Sequence, residues 1–322
     1  MSEKYEGGVD ARTVVLNAAK MNFDGKLDFS VLSDEVQEFD DTTESQVLER
    51  IQGADIVVTK EMPLSGETIR QFPECVRMIN EAGTGYNNLD LAAAKEKGIT
   101  VCNIPAYSSE RVAHTAVMMI LNLSSSVQMQ IRMLEAGDRS NFSEHLMVDH
   151  TEVNGKTLGV VGAGHIGREV IKVAQALGME ILVYTRTPKD DGLTYVSLEE
   201  LLAKSDYVTL HCPLNDATRH LIGKEQLAMM KKSAFLINTA RGALIDEPAL
   251  IEALEKDVIA GAGLDVQETE PPTEDNPLYD MPNVILTPHM GWKGLETRRR
   301  LVDILADNIH AFMEGTPKNV VG

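Results

Sequence analysis

Apolar residues along the chain gather in short β-like runs, and between these runs they recur with helical spacing. "TVVLN" (13–17), "DIVVTK" (55–60), "RMINEAG" (77–83) and "TVCNI" (100–104) read as strands, with helical patterns at 43–52 and 89–97 between them. The alternation resumes further on, where 158–161, 181–185, 207–211, 234–238, 260–266 and 284–287 are apolar runs of the same kind. Ser197, with Glu200 three residues on, carries the capping signal of a helix start. Strands that alternate with helices imply parallel sheets covered on both faces, because a parallel connection must cross over the sheet. No short repeat and no low-complexity tract interrupts the pattern. The expected fold class is α/β, in two doubly wound parallel-sheet domains.

Residues 111–136 read as one long helix stopped by Gly137. The segment after it, "DRSNFSEHLMVDHTEVNGK", is irregular and long for a connector, and loops of that size tend to be functional or to pack on a partner. A last amphipathic pattern covers 296–314, beyond the final strand, where a helix can return to cover the first domain. The division that follows is one domain of residues 1–102 plus 291–322 and a second of residues 103–290.

Composition narrows the function. At 322 residues the chain exceeds one typical domain, and 43% hydrophobic content is ample for two cores. No apolar run reaches membrane-spanning length and "MSEKYE" is not a signal peptide, so no membrane partner is expected and the expected compartment is the cytoplasm. Cys75, Cys102 and Cys212 are few, odd in number and far apart, which suits a reducing compartment. They form no metal-spaced pair, and no cluster of His, Cys and carboxylates has ligand spacing, so no metal is expected. The net charge of -19 repels a phosphate backbone, so no nucleic-acid partner is expected either. A small anionic substrate needs a local cationic group to override that field.

Gly162, Gly164 and Gly167 follow an apolar strand and open a helix. In that context the first glycine permits a tight turn, the second lets backbone N–H groups approach a pyrophosphate, and the third lets helix and strand pack closely. A second strand ends at the distance such a dinucleotide unit requires, so a dinucleotide is the expected cofactor. Three more segments start at the carboxyl ends of strands: "INTARGALID" (237–246), "GAGLDVQETEPP" (261–272) and "LTPHMGW" (286–292). Ligands sit at that edge of an open α/β sheet, so Arg241, Asp265, Glu270 and His289 are candidates for one crevice.

These segments, with "EAGTGYNNLDLAAAKEKGI", "CNIPAYSSERVA" and "HCPLNDATRHLIG", resemble the D-isomer-specific 2-hydroxyacid dehydrogenases over nearly the whole chain. "NIPAYSSERVA", "TPHMGW" with "ETRRRLVDILADNI", and the ending "PKNVV" are most similar to the glycerate dehydrogenase / hydroxypyruvate reductase branch. The resemblance implies a Rossmann-type NAD(P)-binding domain at 103–290, a flavodoxin-like catalytic domain, and a cleft between them that closes by a hinge. It places the family's arginine, acid and histidine on Arg241, Glu270 and His289. Arg241 would hold a 2-oxo carboxylate bidentately, His289 would give a proton to the carbonyl oxygen, and Glu270 would stabilise the imidazolium. Backbone N–H groups at Thr84 and Gly85 would meet the same carboxylate. His165, Ile166, Cys212, Pro213, Thr218, Thr239, Ala240, Asp265 and Gly291 fall on cofactor-facing positions, with Asp265 toward the nicotinamide. The family also implies a homodimer formed through the region 113–150. The expected reaction is hydride transfer between NAD(P)H and hydroxypyruvate or glyoxylate. Pyruvate, a bulkier 2-oxo acid, or a cofactor-sensing scaffold of the same fold are the alternatives.

Blander roles compete at several positions. His114, His145, His150, His220 and His310 read as packing or surface histidines, and His165 and His211 as residues acting through backbone or shape. Glu268 neighbours Glu270; the choice of Glu270 rests on the family's glutamate preceding proline. Arg298, Arg299 and Arg300 read as a solvated helix face, and Tyr86 as either a substrate contact or a packing residue under the turn. With no basic cluster near the first-domain turns, a phosphorylated substrate is not expected. His114 stands where the branch usually has glutamine and other members glutamate, which leaves local contacts near the cofactor open; "LEAGDRSNF" lacks the family's tryptophan, which leaves the details of the dimer loop open. The strand at 181–185 ends in Thr185, followed by Arg186 and Thr187, where a carboxylate usually holds the adenosine ribose. Without that carboxylate a 2′-phosphate is no longer repelled, and arginine offers it a charged fork, so NADP is expected to be preferred over NAD.

Overall fold

The computed structural model describes residues 9–322; the opening "MSEKYE" lies outside them. The chain divides into two compact units, one built from the residues up to Tyr107 together with Lys293–Gly322, the other from Ser108–Trp292. No helix among the described residues is long and apolar enough to cross a membrane.

The first unit runs β1 (Arg12–Val15), β2 (Glu35–Glu38), α1 (Glu44–Arg50), β3 (Ile56–Thr59), α2 (Gly66–Arg70), β4 (Met78–Glu81), α3 (Leu91–Glu96) and β5 (Thr100–Cys102). Its sheet is parallel in the order β2-β1-β3-β4-β5. That is the flavodoxin-like doubly wound order. The edge strand β2 carries no strong apolar signal, because "EVQE" is exposed or half-exposed along its length.

The second unit starts with α4 (Ser109–Ser124), α5 (Val127–Glu135) and α6 (Ser140–Ser143). It continues with β6 (Thr157–Val161), α7 (His165–Ala176), β7 (Glu180–Tyr184), α8 (Leu198–Lys204), β8 (Tyr207–Leu210), α9 (Lys224–Met229), β9 (Phe235–Asn238), α10 (Glu247–Glu255), β10 (Gly261–Leu264) and β11 (Val284–Leu286). The sheet is parallel in the order β11-β10-β9-β8-β6-β7. Its side chains sort by face with the strand period of two. Leu158 and Val160 of β6 join α4 and α7 in one core, while Val161 joins α8, α9 and α10 in another. Gly159 lies against Leu201 and Ser205, where a Cβ would come within 2.4 Å of both side chains. The Ser197 hydroxyl accepts from the Glu200 N–H at 3.2 Å and caps α8.

Two expectations are corrected here. The stretch 111–136 is two helices, not one: Ser126 sits between α4 and α5 with φ +49° and turns the chain. The Asn122 side-chain oxygen accepts from the Gln128 N–H at 3.0 Å and ties the corner. The last helix, α11 (Leu295–Met313), belongs to the first unit, and Arg298 on it is buried rather than solvated. Its guanidinium grips both oxygens of Asp24 at 2.8 and 2.7 Å, donates to the Met21 carbonyl and lies over the Phe23 ring. Those bonds hold the Asp24 carboxyl at about 2, below its usual range. Asn308 of α11 adds buried bonds to Asn80 and to the Asn103 carbonyl.

Candidate active site

The strand order of the second unit reverses at β6, whose neighbours are β7 on one side and β8 on the other. Such switch points leave a crevice at the carboxyl ends of the strands. The glycine turn opens there, and each glycine has its own steric reason. Gly162 has φ +99°, and a Cβ on it would meet the backbone of His211 and Cys212 at 2.7–2.9 Å. A Cβ on Gly167 would meet the Gly162 carbonyl at 2.1 Å, so only glycine lets α7 start this close to β6. Gly164 is the N-cap of α7 and is different: a Cβ there meets nothing within 4 Å. Its bareness serves no contact within the protein, which fits an approaching ligand. His165 and Ile166 form the first turn of α7, whose N–H groups favour an anion.

Polar atoms at the same edge point the same way. Thr239 Oγ1, just past β9, and His211 Nδ1, just past β8, are buried without a hydrogen-bond partner among the described residues. Such groups normally find one. His211 keeps an exposed edge, yet its Nε2 meets Thr209 Oγ1 at 2.9 Å and desolvation pushes its pKa well below the usual range, so the ring is neutral. Burial pushes the neighbouring Cys212 thiol up to about 11, and Arg186 is the charge that works against it. The guanidinium therefore lies within electrostatic reach of the β8 loop. Arg186 and Thr187 are exposed and Thr185 is half-buried. Thr218 is buried in its own loop, its hydroxyl donating to the Pro213 carbonyl at 2.7 Å. The donors, acceptors and bare glycine at this edge fit a dinucleotide.

Beyond β10 and β11 the loops make a tighter constellation. His289 Nδ1 lies 2.8 Å from Glu270 Oε2, and Glu270 Oε1 accepts from the Gln267 N–H at 3.1 Å. His289 has φ +46°, a left-handed conformation rare outside glycine. Asp265 holds it there. The Asp265 carbonyl accepts from the His289 N–H at 2.8 Å, and its carboxylate accepts from Thr287 Oγ1, Met290 N–H and Gly291 N–H at 2.5, 2.9 and 2.8 Å. Asp265 is 1% exposed, so this carboxylate builds the turn that presents His289. A Cβ on Gly291 would come within 2.9 Å of that carboxylate. Glu268 takes a different partner, His220 Nε2 at 2.7 Å, so the two glutamates of "ETE" are separated by their histidines.

Arg241 follows β9. Its Nη1 donates to the Ala240 carbonyl at 2.8 Å, and its own carbonyl accepts from Asn238 Nδ2 at 2.9 Å. The next residue, Gly242, packs on the chain at Gln267 and Glu268, where a Cβ would come within 1.9–2.4 Å of backbone atoms. That contact fixes the Arg241 loop against the loop that carries Glu270. Thr84 and Gly85 belong to the first unit. They follow β4 in a turn closed by bonds from the Ile104 N–H to the Gly83 carbonyl and from Asn103 Nδ2 to the Thr84 carbonyl, at 2.9 and 2.8 Å. Tyr86 is exposed at 38% and so does not pack beneath that turn. Among the described residues no group of three or more His, Cys, Asp or Glu could hold a metal ion.

One residue at this turn escaped the sequence reading. Lys60, directly after β3, is 1% exposed, and its ammonium lies beneath Gly83. The available signal was an apolar run ending in lysine at the carboxyl edge of the sheet, which reads equally as a strand reaching solvent.

A profile of the D-isomer specific 2-hydroxyacid dehydrogenase, NAD binding domain, matches residues 117–291. The chain belongs to this family of dehydrogenases. It is 41% identical over 292 residues to a glycerate dehydrogenase of Methylorubrum extorquens, covering 89% of this chain and 92% of that one. It is 40% identical over 286 residues to a hydroxypyruvate reductase of Blautia hydrogenotrophica, covering 87% and 88%. Among solved structures, a glyoxylate reductase from Paecilomyes thermophila is similar with a TM-score of 0.84 and 33% identity, over 97% of this chain and 98% of that one. As a 2-hydroxyacid dehydrogenase, the chain carries its nicotinamide-binding domain in the second unit, where the glycine turn and the His289–Glu270 pair both lie.

Proposed function

We propose that this dehydrogenase reduces hydroxypyruvate and glyoxylate to D-glycerate and glycolate, prefers NADPH to NADH, and works in the cytoplasm as a homodimer. The observation that carries this reading is the 2.8 Å bond between His289 Nδ1 and Glu270, on the sheet that also opens the glycine turn. Glu270 fixes the ring orientation and stabilises the imidazolium, which leaves Nε2 to give its proton to a carbonyl oxygen. Arg241 holds the 2-oxo acid's carboxylate and polarises its carbonyl. Thr84 and Gly85 offer backbone N–H groups to a carboxylate. A nicotinamide bound along the switch point supplies the hydride. Gly162, Gly164, His165, Ile166 and Gly167 receive its pyrophosphate. Thr239, Ala240, Cys212, Pro213, Thr218, Asp265 and Gly291 line its path, and Thr185, Arg186 and Thr187 take the 2′-phosphate.

The homodimer is supported by α5, none of whose side chains is buried. The cytoplasm is supported by three cysteines that are all free. The test is a panel of hydroxypyruvate, glyoxylate, pyruvate and a branched 2-oxo acid, each with NADPH and NADH. The expected result is the highest kcat/KM for the first two acids with NADPH. A branched acid used best would overturn the substrate assignment, and cofactor binding without turnover of any short 2-oxo acid would overturn the enzymatic one.

A further inference from the structure

The first unit buries a charged cluster that the proposed chemistry does not use. Lys60 Nζ donates to Glu61 Oε1 at 2.6 Å. Glu81, at the end of β4, accepts from the Glu61 N–H and from Asn88 Nδ2, both at 2.9 Å. The Lys60 backbone is clamped to Asn17: its N–H donates to Oδ1 at 2.9 Å, and its carbonyl accepts from Nδ2 at 2.6 Å. Glu61 has φ +53°, a conformation a glutamate adopts only where its surroundings impose it. All of this effort places one ammonium. A Cβ built on Gly83 would lie 3.3 Å from Lys60 Nζ, 3.4 Å from Glu81 Oε1 and 3.7 Å from the Gly85 carbonyl. The ammonium thus sits directly under the turn whose N–H groups, at Thr84 and Gly85, face a carboxylate in the proposed function.

We propose that Lys60 is a positioning residue for the substrate carboxylate: its buried ammonium makes the Gly83–Gly85 turn a seat for small carboxylate anions. This rests on the role given above to Thr84 and Gly85. The chain is acidic overall, so such a seat needs a local cation, and in the dry interior that cation acts at short range with little screening. Two carboxylates oppose it. Glu61 is paired directly with the ammonium at 2.6 Å and offsets part of its charge at any pH, with its own side chain 39% exposed. Glu81 is buried, and desolvation raises its pKa to about 7, against the pull of its hydrogen bonds and of Lys60. The charged groups acting on Glu81 are Lys60 and Glu61. Below neutrality Glu81 is protonated and the Lys60 charge is felt most fully; above it, the carboxylate offsets the ammonium.

The test uses full-length protein with saturating NADPH and the unreactive anion oxalate, titrated by calorimetry at pH 6 and pH 8. Lys60→Met keeps the volume and removes the charge, and Glu81 can then stay protonated. The expected result is oxalate binding weakened about ten- to a hundred-fold at pH 6, the range of one charge-assisted contact, with NADPH affinity unchanged. For hydroxypyruvate the loss should fall on KM rather than kcat. Glu81→Gln should bind oxalate as tightly at pH 8 as at pH 6. If Lys60→Met fails to fold, Lys60→Met with Glu81→Gln is compared with Glu81→Gln alone. Oxalate affinity within twofold of the unmodified protein in the lysine variant, or no oxalate binding by the unmodified protein, overturns the proposal. Lys60-dependent oxalate binding in a protein that reduces no 2-oxo acid sinks the functional reading while supporting the seat.

Discussion

His289 is held in an unusual backbone conformation by a single residue, Asp265, through its carbonyl and its carboxylate. Asp265 receives bonds from Thr287, Met290 and Gly291 and anchors the His289 N–H, so the ring is presented by a preformed turn. Preorganisation of this kind lets a proton donor act without paying for its own placement at the moment of reaction. His289→Ala should lower kcat on the order of 10²–10⁴-fold, the usual range for a positioned general acid, with NADPH affinity unchanged. Glu270→Gln should lower kcat less, since the ring keeps a hydrogen-bond partner but loses the charge that stabilises the imidazolium. Steady-state kinetics with a parallel cofactor titration checks both; near-normal kcat in His289→Ala would remove the histidine from the chemistry. At Glu81 a second consequence belongs to the single residue. Its pKa is about 7 in the folded protein against an ordinary 4.5. Below the ordinary value the group is protonated in both states and contributes nothing. Between the two values the unfolded chain ionises first, so stability falls as pH rises, and above the folded value the loss is constant at about 3 kcal/mol. Glu81→Gln should therefore raise Tm at pH 8 and leave it nearly unchanged at pH 4.5. An equal shift at both pH values would mean that ionisation at this site is not the cause.

Elements show why some features were legible in the sequence and others were not. The glycine turn could be read from spacing because two of its glycines answer a steric demand: backbone atoms of Cys212 and Gly162 leave no room for a Cβ at Gly162 and Gly167. The strands β6 and β8 to β11 were legible because both faces are buried, so their apolar runs are continuous. Strand β2 was not, because an edge strand with polar side chains carries no such run. The corner at Ser126 was missed because no glycine or proline announces it. Arg298 was misread from its charged neighbours, although it lies in helical register with the buried Leu301 and Leu305, a signal that was there to use. Lys60 was silent because charge near a strand end usually means solvent. At the β7 loop, the sequence names the residues but not the orientation of Arg186; its effect on the Cys212 thiol puts it within electrostatic reach of the β8 loop. Nearby, Asp191 ties Arg168 of α7 to the loop at 2.5 Å and receives the Tyr195 hydroxyl, which restrains the loop's conformation. Arg186→Ala should cut kcat/KM for NADPH about ten- to a hundred-fold, as expected for one charge-assisted contact, and leave NADH use little changed. Equal or better use of NADH by the unmodified enzyme would rule out the preference.

At the scale of the whole molecule, the open question is what covers α5 and the segment that follows it. Val127, Ile131, Leu134, Phe142, Leu146 and Met147 are all exposed, Phe142 at 77%. The helix is fastened to its own unit through polar groups instead: Gln128 Nε2 donates to the Val284 carbonyl at 2.8 Å, and Arg132 donates to the carbonyls of Asp280 and Tyr279, both at 3.2 Å. A helix that turns polar contacts inward and leaves apolar side chains in water is arranged for a second apolar surface. A second copy of the chain is the occupant proposed above, and a two-fold interface needs only that the patch complement itself. A stable interface of this class buries about 800 Å² on each partner, an area within reach of six large apolar side chains and their surroundings. Light scattering should therefore give the unmodified protein twice the 35.3 kDa of one chain. Ile131→Glu combined with Phe142→Glu should yield a single-chain mass. Because neither side chain contributes to the core of its own unit, the double variant should keep the circular dichroism of the unmodified protein. A single-chain mass for the unmodified protein at micromolar concentration would show that the exposed face of α5 serves something other than a second copy.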